Sequence, residues 1–176
     1  DLAYYQGPGW YRTRLKLANP FPNGRTLLHF DGAGQKSQVF IGLRKVGEHL
    51  GGFDEWDVDI TDAVQGTGSE IQLAVQCDNS RDAESIPSDL SDFNRYGGLY
   101  RHVSLVYVPA LSIERMHIAP SLANGKGSVK IRARLRNPSS LTDKAQLALE
   151  VRDPKGTVVH SATQALEAWK DEKEIA

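Results

Sequence analysis

Apolar and polar residues alternate with period two over much of this sequence, and that pattern limits the chain to extended structure. Tyr11-Arg12-Thr13-Arg14-Leu15-Lys16-Leu17 places Arg12, Arg14 and Lys16 on one face. Ile71-Gln72-Leu73-Ala74-Val75-Gln76-Cys77 keeps its odd positions apolar, and Lys130-Ile131-Arg132-Ala133-Arg134-Leu135-Arg136 alternates again. Side chains on a strand point to opposite faces in turn, so such runs fit strands with one buried and one wet face. Further strand candidates lie at residues 26–30, 38–43, 56–60, 102–108, 112–118, 145–151 and 157–160.

Turn residues punctuate these runs. Asn23-Gly24, Asn124-Gly125 and Asp153-Pro154-Lys155-Gly156 supply positive-φ or proline-preset positions, and the last two predict hairpins. No long helical periodicity interrupts them; a short turn at residues 61–64 and an ambiguous tail at 165–176 are the exceptions. Many short strands without interleaved helices predict an all-β chain built as antiparallel sandwiches. Aromatics and glycines are dense before Pro109 and sparse after it, where Trp169 is the one aromatic. We therefore expect two β modules, residues 1–109 and 110–176, with the boundary near residues 107–110. Three or four strands in the second module fall short of the roughly seven of an immunoglobulin-like sandwich. That module would keep an open edge, as expected of a piece of a longer chain.

Composition excludes several functions. Lys plus Arg number 21 and Asp plus Glu 22 in 176 residues, a net charge of −1, so there is no basic footprint for nucleic acid or an anionic membrane. No apolar run approaches the ~20 residues of a membrane helix. Asp1 is not followed by a basic and then an apolar stretch, so no signal peptide is expected. A single cysteine, Cys77, rules out an internal disulfide framework; it ends an apolar strand face, which predicts a buried thiol.

Several constellations have plain structural readings. His29, His49, His102, His117 and His160 show no metal-ligand spacing. Gly7-Pro8-Gly9 and Gly32-Ala33-Gly34 precede no helix and read as turn glycines, not phosphate cradles. The acidic run Asp54, Glu55, Asp57, Asp59 and Asp62 has the oxygen donors of a calcium site. The favoured alternative is a polar strand face followed by helix capping at Thr61 or Asp62. The basic face of residues 130–136 reads as a solvated strand face.

The densest chemistry lies between Asp78 and Arg101, a connection of over 20 residues. Long ordered connections in compact domains tend to be functional. This one contains Ser91-Asp92-Phe93-Asn94-Arg95-Tyr96-Gly97-Gly98-Leu99-Tyr100-Arg101. Carboxylate, amide and guanidinium groups beside aromatic rings suit sugars, whose hydroxyls need paired polar partners and whose C–H faces pack on rings. A self-packed loop with internally satisfied ion pairs is the alternative.

These residues also resemble a known family. Gly7-Pro8-Gly9-Trp10-Tyr11-Arg12, Leu28-His29-Phe30-Asp31-Gly32-Ala33, Val46-Gly47-Glu48-His49-Leu50-Gly51-Gly52-Phe53, Val58-Asp59-Ile60-Thr61-Asp62 and Asp92-Phe93 with Gly97-Gly98-Leu99-Tyr100-Arg101-His102-Val103 resemble, in order, motifs of glycoside hydrolase family 2. The resemblance covers residues 1 to about 109. It implies a jelly-roll sandwich of the sugar-binding type, then part of an immunoglobulin-like sandwich. It implies a parent that is a retaining exo-β-glycosidase, most often a β-galactosidase, with β-glucuronidase and β-mannosidase sharing the plan. The two catalytic carboxylates of such an enzyme belong to a (β/α)₈ barrel, and this chain has no alternating βα units. No catalytic residue is therefore assigned here, and the chain alone is expected to be inactive.

By the same resemblance, Asp92 would reach the sugar and a sodium ion, with Asn94 and Arg95 orienting it. Gly97, Gly98 and Arg101 would shape the loop, with Arg101 beneath the Gly97-Gly98 turn. The resemblance implies no cofactor in this chain and sodium or magnesium in the parent. The implied partners are a β-linked carbohydrate, the C-terminal barrel of the same polypeptide and further copies of the parent in an oligomer. The compartment would be cytoplasmic or periplasmic. Three departures stand out: Gly42-Leu43 replaces the family's Asn-Gly turn, His102 follows Arg101 where Asp is frequent, and the start near Gly7 leaves an edge strand of the first sandwich unaccounted for. A free-standing carbohydrate-binding module is the alternative function.

Overall fold

The computed structural model describes residues 5–83, 85, 96–137, 145–169 and 171–175. The chain forms two compact units, Asp1–Val108 and Pro109–Ala176. Their described residues are almost wholly β.

The first unit holds β1 (Pro8–Lys16), β2 (Arg25–Phe30), β3 (Lys36–Ile41), β4 (Arg44–Leu50), β5 (Trp56–Asp59), the single-turn helix α1 (Thr61–Val64), β6 (Glu70–Asp78) and β7 (Val103–Val108). They make two open antiparallel sheets, ordered β1-β6-β3-β4 and β5-β2-β7. The neighbours β1-β6 and β2-β7 are far apart in sequence, as in a β-sandwich. The alternation seen in the sequence is the alternation of burial. Ile71, Leu73, Val75 and Cys77 of β6 are buried, while Gln72 is exposed. Together with Leu28, Phe30, Val39, Ile41, Trp56, Val58 and Ile60 they form one apolar core. Phe30 and Trp56 stack at 4.1 Å, their rings only 4° from parallel. Cys77 lies in this core, where burial pushes its thiol pKa up; Ser37 Oγ donates to Sγ at 3.7 Å.

Three sequence expectations change in detail. β4 escaped the period-two reading because Val46 has no partner of its own. Val39 faces Gly47 while Phe40 faces Lys45, a bulge that breaks the alternation. The turn between β3 and β4 is Gly42-Leu43, with Gly42 at φ +58° and Leu43 outside the positive-φ region. Glycine at the first central position alone marks a type II′ turn, so the hairpin closes without Asn-Gly. Of the acidic run, Asp59 Oδ1 accepts the Thr61 N–H at 3.0 Å. The N-cap of α1 is Ile60, without a side-chain cap, so Thr61 and Asp62 lie inside the helix and do not cap it. Asp57 and Asp54 instead face His29 and His49. Among the described residues no group of three His, Cys, Asp or Glu side chains is placed to hold a metal ion.

The second unit contains β8 (Ser112–Ala123), β9 (Lys126–Asn137), β10 (Ala145–Arg152), β11 (Val158–Leu166) and β12 (Asp171–Ile175). Its sheets are β12-β9-β8 and β10-β11. Asn124 (φ +52°) and Gly125 (φ +73°) form the two-residue turn of the β8–β9 hairpin, the I′ signature. Asp153 Oδ1 accepts the Lys155 and Thr157 N–H groups and sets the β10–β11 turn. The tail contributes β12, one strand more than the sequence suggested. Its charged Asp171-Glu172-Lys173-Glu174 is poor in β-formers, and pairing with β9 overrides that. A small core joins Ala133, Leu135 and Leu166 to Leu147, Trp169 and Ile175. On the basic face, Arg136 Nη1 meets Glu114 Oε1 at 3.0 Å and Arg134 Nε lies 4.0 Å from Glu172.

Candidate functional site

Three connections of the first unit meet at one end of its sheets: residues 31–35 after β2, 51–55 after β4 and, of the connection after β6, the described residues 79–83 and 96–102. Their backbones are joined directly. Gly34 and Gly98 form an isolated antiparallel bridge, with N–H···O distances of 3.1 and 3.0 Å. The Asp31 N–H donates to the His102 carbonyl at 3.1 Å, Gln35 N–H to Asp78 at 3.0 Å and Gly51 N–H to Gln35 at 2.9 Å. The Tyr100 hydroxyl donates to the Gly52 carbonyl. Burial pushes its pKa up, which favours the protonated donor.

Glycine is required where these strands of loop touch. A Cβ on Gly34 would stand 2.2 Å from the Tyr96 carbonyl oxygen. One on Gly98, already at φ +85°, would stand 2.0 Å from the Tyr11 hydroxyl. Gly97 lies against Asn79, whose Oδ1 accepts the Gly7 N–H at 2.9 Å and whose Nδ2 donates to the Tyr5 carbonyl at 3.1 Å. Arg101 Nη1 donates to the Asp31 carbonyl at 3.3 Å, and its guanidinium lies 5.8 Å from the Tyr100 ring centre. Arg101 is thus bonded to the connection after β2.

Asp92, Asn94 and Arg95 lie outside the described residues. The flanking described positions are anchored: Ser85 Oγ donates to the Asp82 carbonyl at 3.0 Å, Asp82 pairs with Lys36, and the Tyr96 ring packs on Tyr100 at 5.8 Å.

Two features of this end escaped the sequence reading. Gln35 is buried, and both its amide atoms lack a hydrogen-bond partner among the described residues. The neighbouring Gly51-Gly52 was the available signal: a Cβ on Gly52 would meet the Gln35 amide at 2.7 Å. The second is an imidazole among carboxylates. His29 Nδ1 lies 2.8 Å from Asp57 Oδ1, and Nε2 lies 3.3 Å from Asp31 and 4.0 Å from Glu55. The hydrogen bond to Asp57, then the charges of Asp57, Asp31 and Glu55, raise the His29 pKa above 6.5 against the opposing effect of burial. His49 Nε2 is 3.2 Å from Asp54 Oδ2, a contact without hydrogen-bond alignment, and its ring stacks on Trp56 at 4.7 Å.

Residues 1–109 match the profile described as "Glycosyl hydrolases family 2, sugar binding domain". The chain belongs to glycoside hydrolase family 2. Among solved structures of the family, it superimposes on a β-glucuronidase from Parabacteroides merdae with a TM-score of 0.88 and 46% identity. That match covers 98% of this chain and 24% of the other. Bacteroides uniformis β-glucuronidase 3 gives 0.80 and 42%, covering 98% and 22%. A β-glucuronidase of Bacteroides fragilis is 33% identical over 67% of the chain, and a β-galactosidase of Thermoanaerobacter pseudethanolicus 34% over 57%. The chain spans 17% and 14% of the length of those two relatives.

Proposed function

We propose that this chain is a non-catalytic N-terminal part of a retaining exo-β-glycosidase that removes terminal β-glucuronic acid. The observation that carries this reading is the likeness to two solved β-glucuronidases over 98% of the chain, at 46% and 42% identity. A β-galactoside, the substrate expected from the motifs alone, is the second reading. Catalysis belongs to two carboxylates of a barrel outside this chain: one protonates the leaving oxygen and the other attacks the anomeric carbon. The second unit is read as part of an immunoglobulin-like sandwich between this domain and the barrel.

The role of the first unit is to hold one loop against the barrel's sugar pocket. Asp92 accepts hydrogen bonds from sugar hydroxyls, with Asn94 and Arg95 orienting it; a charged acceptor makes such bonds about twice as strong as a neutral one. Gly97, Gly98 and Arg101 belong to the loop's frame. The bridge between Gly34 and Gly98, close to this segment, supports that reading. The test is a comparison of the longer parent on aryl β-glucuronide and aryl β-galactoside, before and after Asp92→Asn. Hydrolysis confined to the glucuronide, with turnover reduced by Asp92→Asn in a folded protein, is the expected result. Hydrolysis of the galactoside alone selects the second reading, and unchanged kinetics in the variant removes Asp92 from the site.

A further inference from the structure

The outer face of the β1-β6-β3-β4 sheet carries an arrangement that the loop site does not use. Register places Trp10 beside Gln76 and Gln76 beside Gln38. The next row is Arg12, Ala74 and Phe40, and Gln72 follows on β6. Ala74, one methyl group, is the floor of a shallow depression of about 640 Å³ walled by Trp10, Phe40, Arg12 and Gln72. The Trp10 and Phe40 rings stand 5.5 Å apart, inclined by 42°, and Trp10 is 55% exposed.

Arg12 and Gln72 in the wall of this depression, and Gln38 and Gln76 in the row beside it, are unengaged among the described residues. Arg14 pairs with Glu70 and Lys45 with Glu48 at the margins of the face. Arg12, Gln38, Gln72 and Gln76 make no side-chain hydrogen bond or ion pair among the described residues. An apolar protein surface laid on this face would bury three amides and a guanidinium without partners, each costing about 1–3 kcal/mol or more. A pyranose meets both halves of the surface. Its C–H face packs on an aromatic ring, and its hydroxyls, each donor and acceptor, match amides that are also both.

We infer that this face is a saccharide platform, with a pyranose unit of a glycan stacked on the exposed face of the Trp10–Phe40 ring pair, beside the depression over Ala74. Gln72, Gln76 and Gln38 take its hydroxyls, and Arg12 takes a hydroxyl or a sugar carboxylate. The site lies on the outer sheet face and does not rest on Asp92 or on the glucuronide reading.

The test titrates the 176-residue chain with cellohexaose and with a hyaluronan hexasaccharide, following the Trp10 indole and the glutamine side-chain amides by NMR. Saturable shifts at Trp10, Gln72 and Gln76 are expected with at least one of the two. Trp10→Ala, Phe40→Ala and the depression-filling Ala74→Leu should each weaken binding roughly tenfold or more, as loss of one good contact does. Circular dichroism should stay unchanged, since Trp10 and its neighbours lie outside the core. Arg12→Gln separates the two arms: selective loss of the hyaluronan fragment assigns a carboxylate to Arg12, and equal loss assigns a hydroxyl. No saturable shift with either sugar overturns the proposal. So does binding that Trp10→Ala leaves intact, or self-association of the chain that Trp10→Ala abolishes in the absence of any sugar response.

Discussion

Gly34 and Gly98 face each other across a two-bond antiparallel bridge that joins the connection after β2 to the connection before β7. Gly34 has no room for a side chain against the Tyr96 backbone, and Gly98 holds a φ that side chains rarely adopt. Gly98→Ala would force a methyl onto the Tyr11 hydroxyl at a φ of +85°, and Gly34→Ala would press on the Tyr96 carbonyl. Each change should lower unfolding stability by about 2 kcal/mol or more, the range of steric and backbone-strain variants. Denaturant midpoints measure it, and wild-type stability in either variant would show that the bridge is not needed.

Tyr100→Phe removes the hydroxyl donated to the Gly52 carbonyl while keeping the ring that packs on Tyr96. A loss of about 1 kcal/mol is expected, with the partly buried carbonyl left short of a donor. The effect should be smaller than that of either glycine variant in the same denaturant series.

His29 should make stability depend on pH. Its raised pKa means that the folded state binds the proton more tightly than the unfolded one. The stabilisation is therefore complete below the unfolded value of 6.5 and is lost as pH rises through the higher folded value. Stability measured from pH 6 to 9 should fall in the wild type, and His29→Gln should flatten that part of the curve. A rise in wild-type stability over this interval would contradict the Asp57 pairing.

The Phe30–Trp56 stack occupies the centre of the first core, with Phe30 fully buried. Phe30→Ala should cost about 3–5 kcal/mol through lost transfer energy and the cavity left behind. Calorimetry of the variant checks this, and a loss below about 1 kcal/mol would mean that the core collapses around the gap.

The first core draws only on residues of the unit Asp1–Val108. A chain ending at Val108 should therefore unfold cooperatively and keep its β-sheet circular dichroism. A non-cooperative melt would show that the first unit needs the second.

Local patterning carried much of this fold. The runs at residues 11–17 and 71–77 became β1 and β6 because alternation is a property of each strand by itself. Asn124-Gly125 became a hairpin turn for the same local reason. The ordered motifs sufficed to recognise the family. β4 was missed where the unpaired Val46 shifts its register, and β12 where charged residues take a strand conformation only by pairing with β9.

What no local pattern held was adjacency. β1 lies beside β6 and β2 beside β7 because burying two apolar faces against each other rewards contacts between residues far apart in the chain. The same long-range packing set Gly34 against Gly98, left the Gln35 amide buried beside Gly52, and gathered three carboxylates around His29. It also brought Trp10 and Phe40 together over Ala74. The sequence alone thus determined an all-β chain of family 2 with its turns in place. Tertiary structure decided which surfaces those strands present, because register between distant strands is fixed by the shared core.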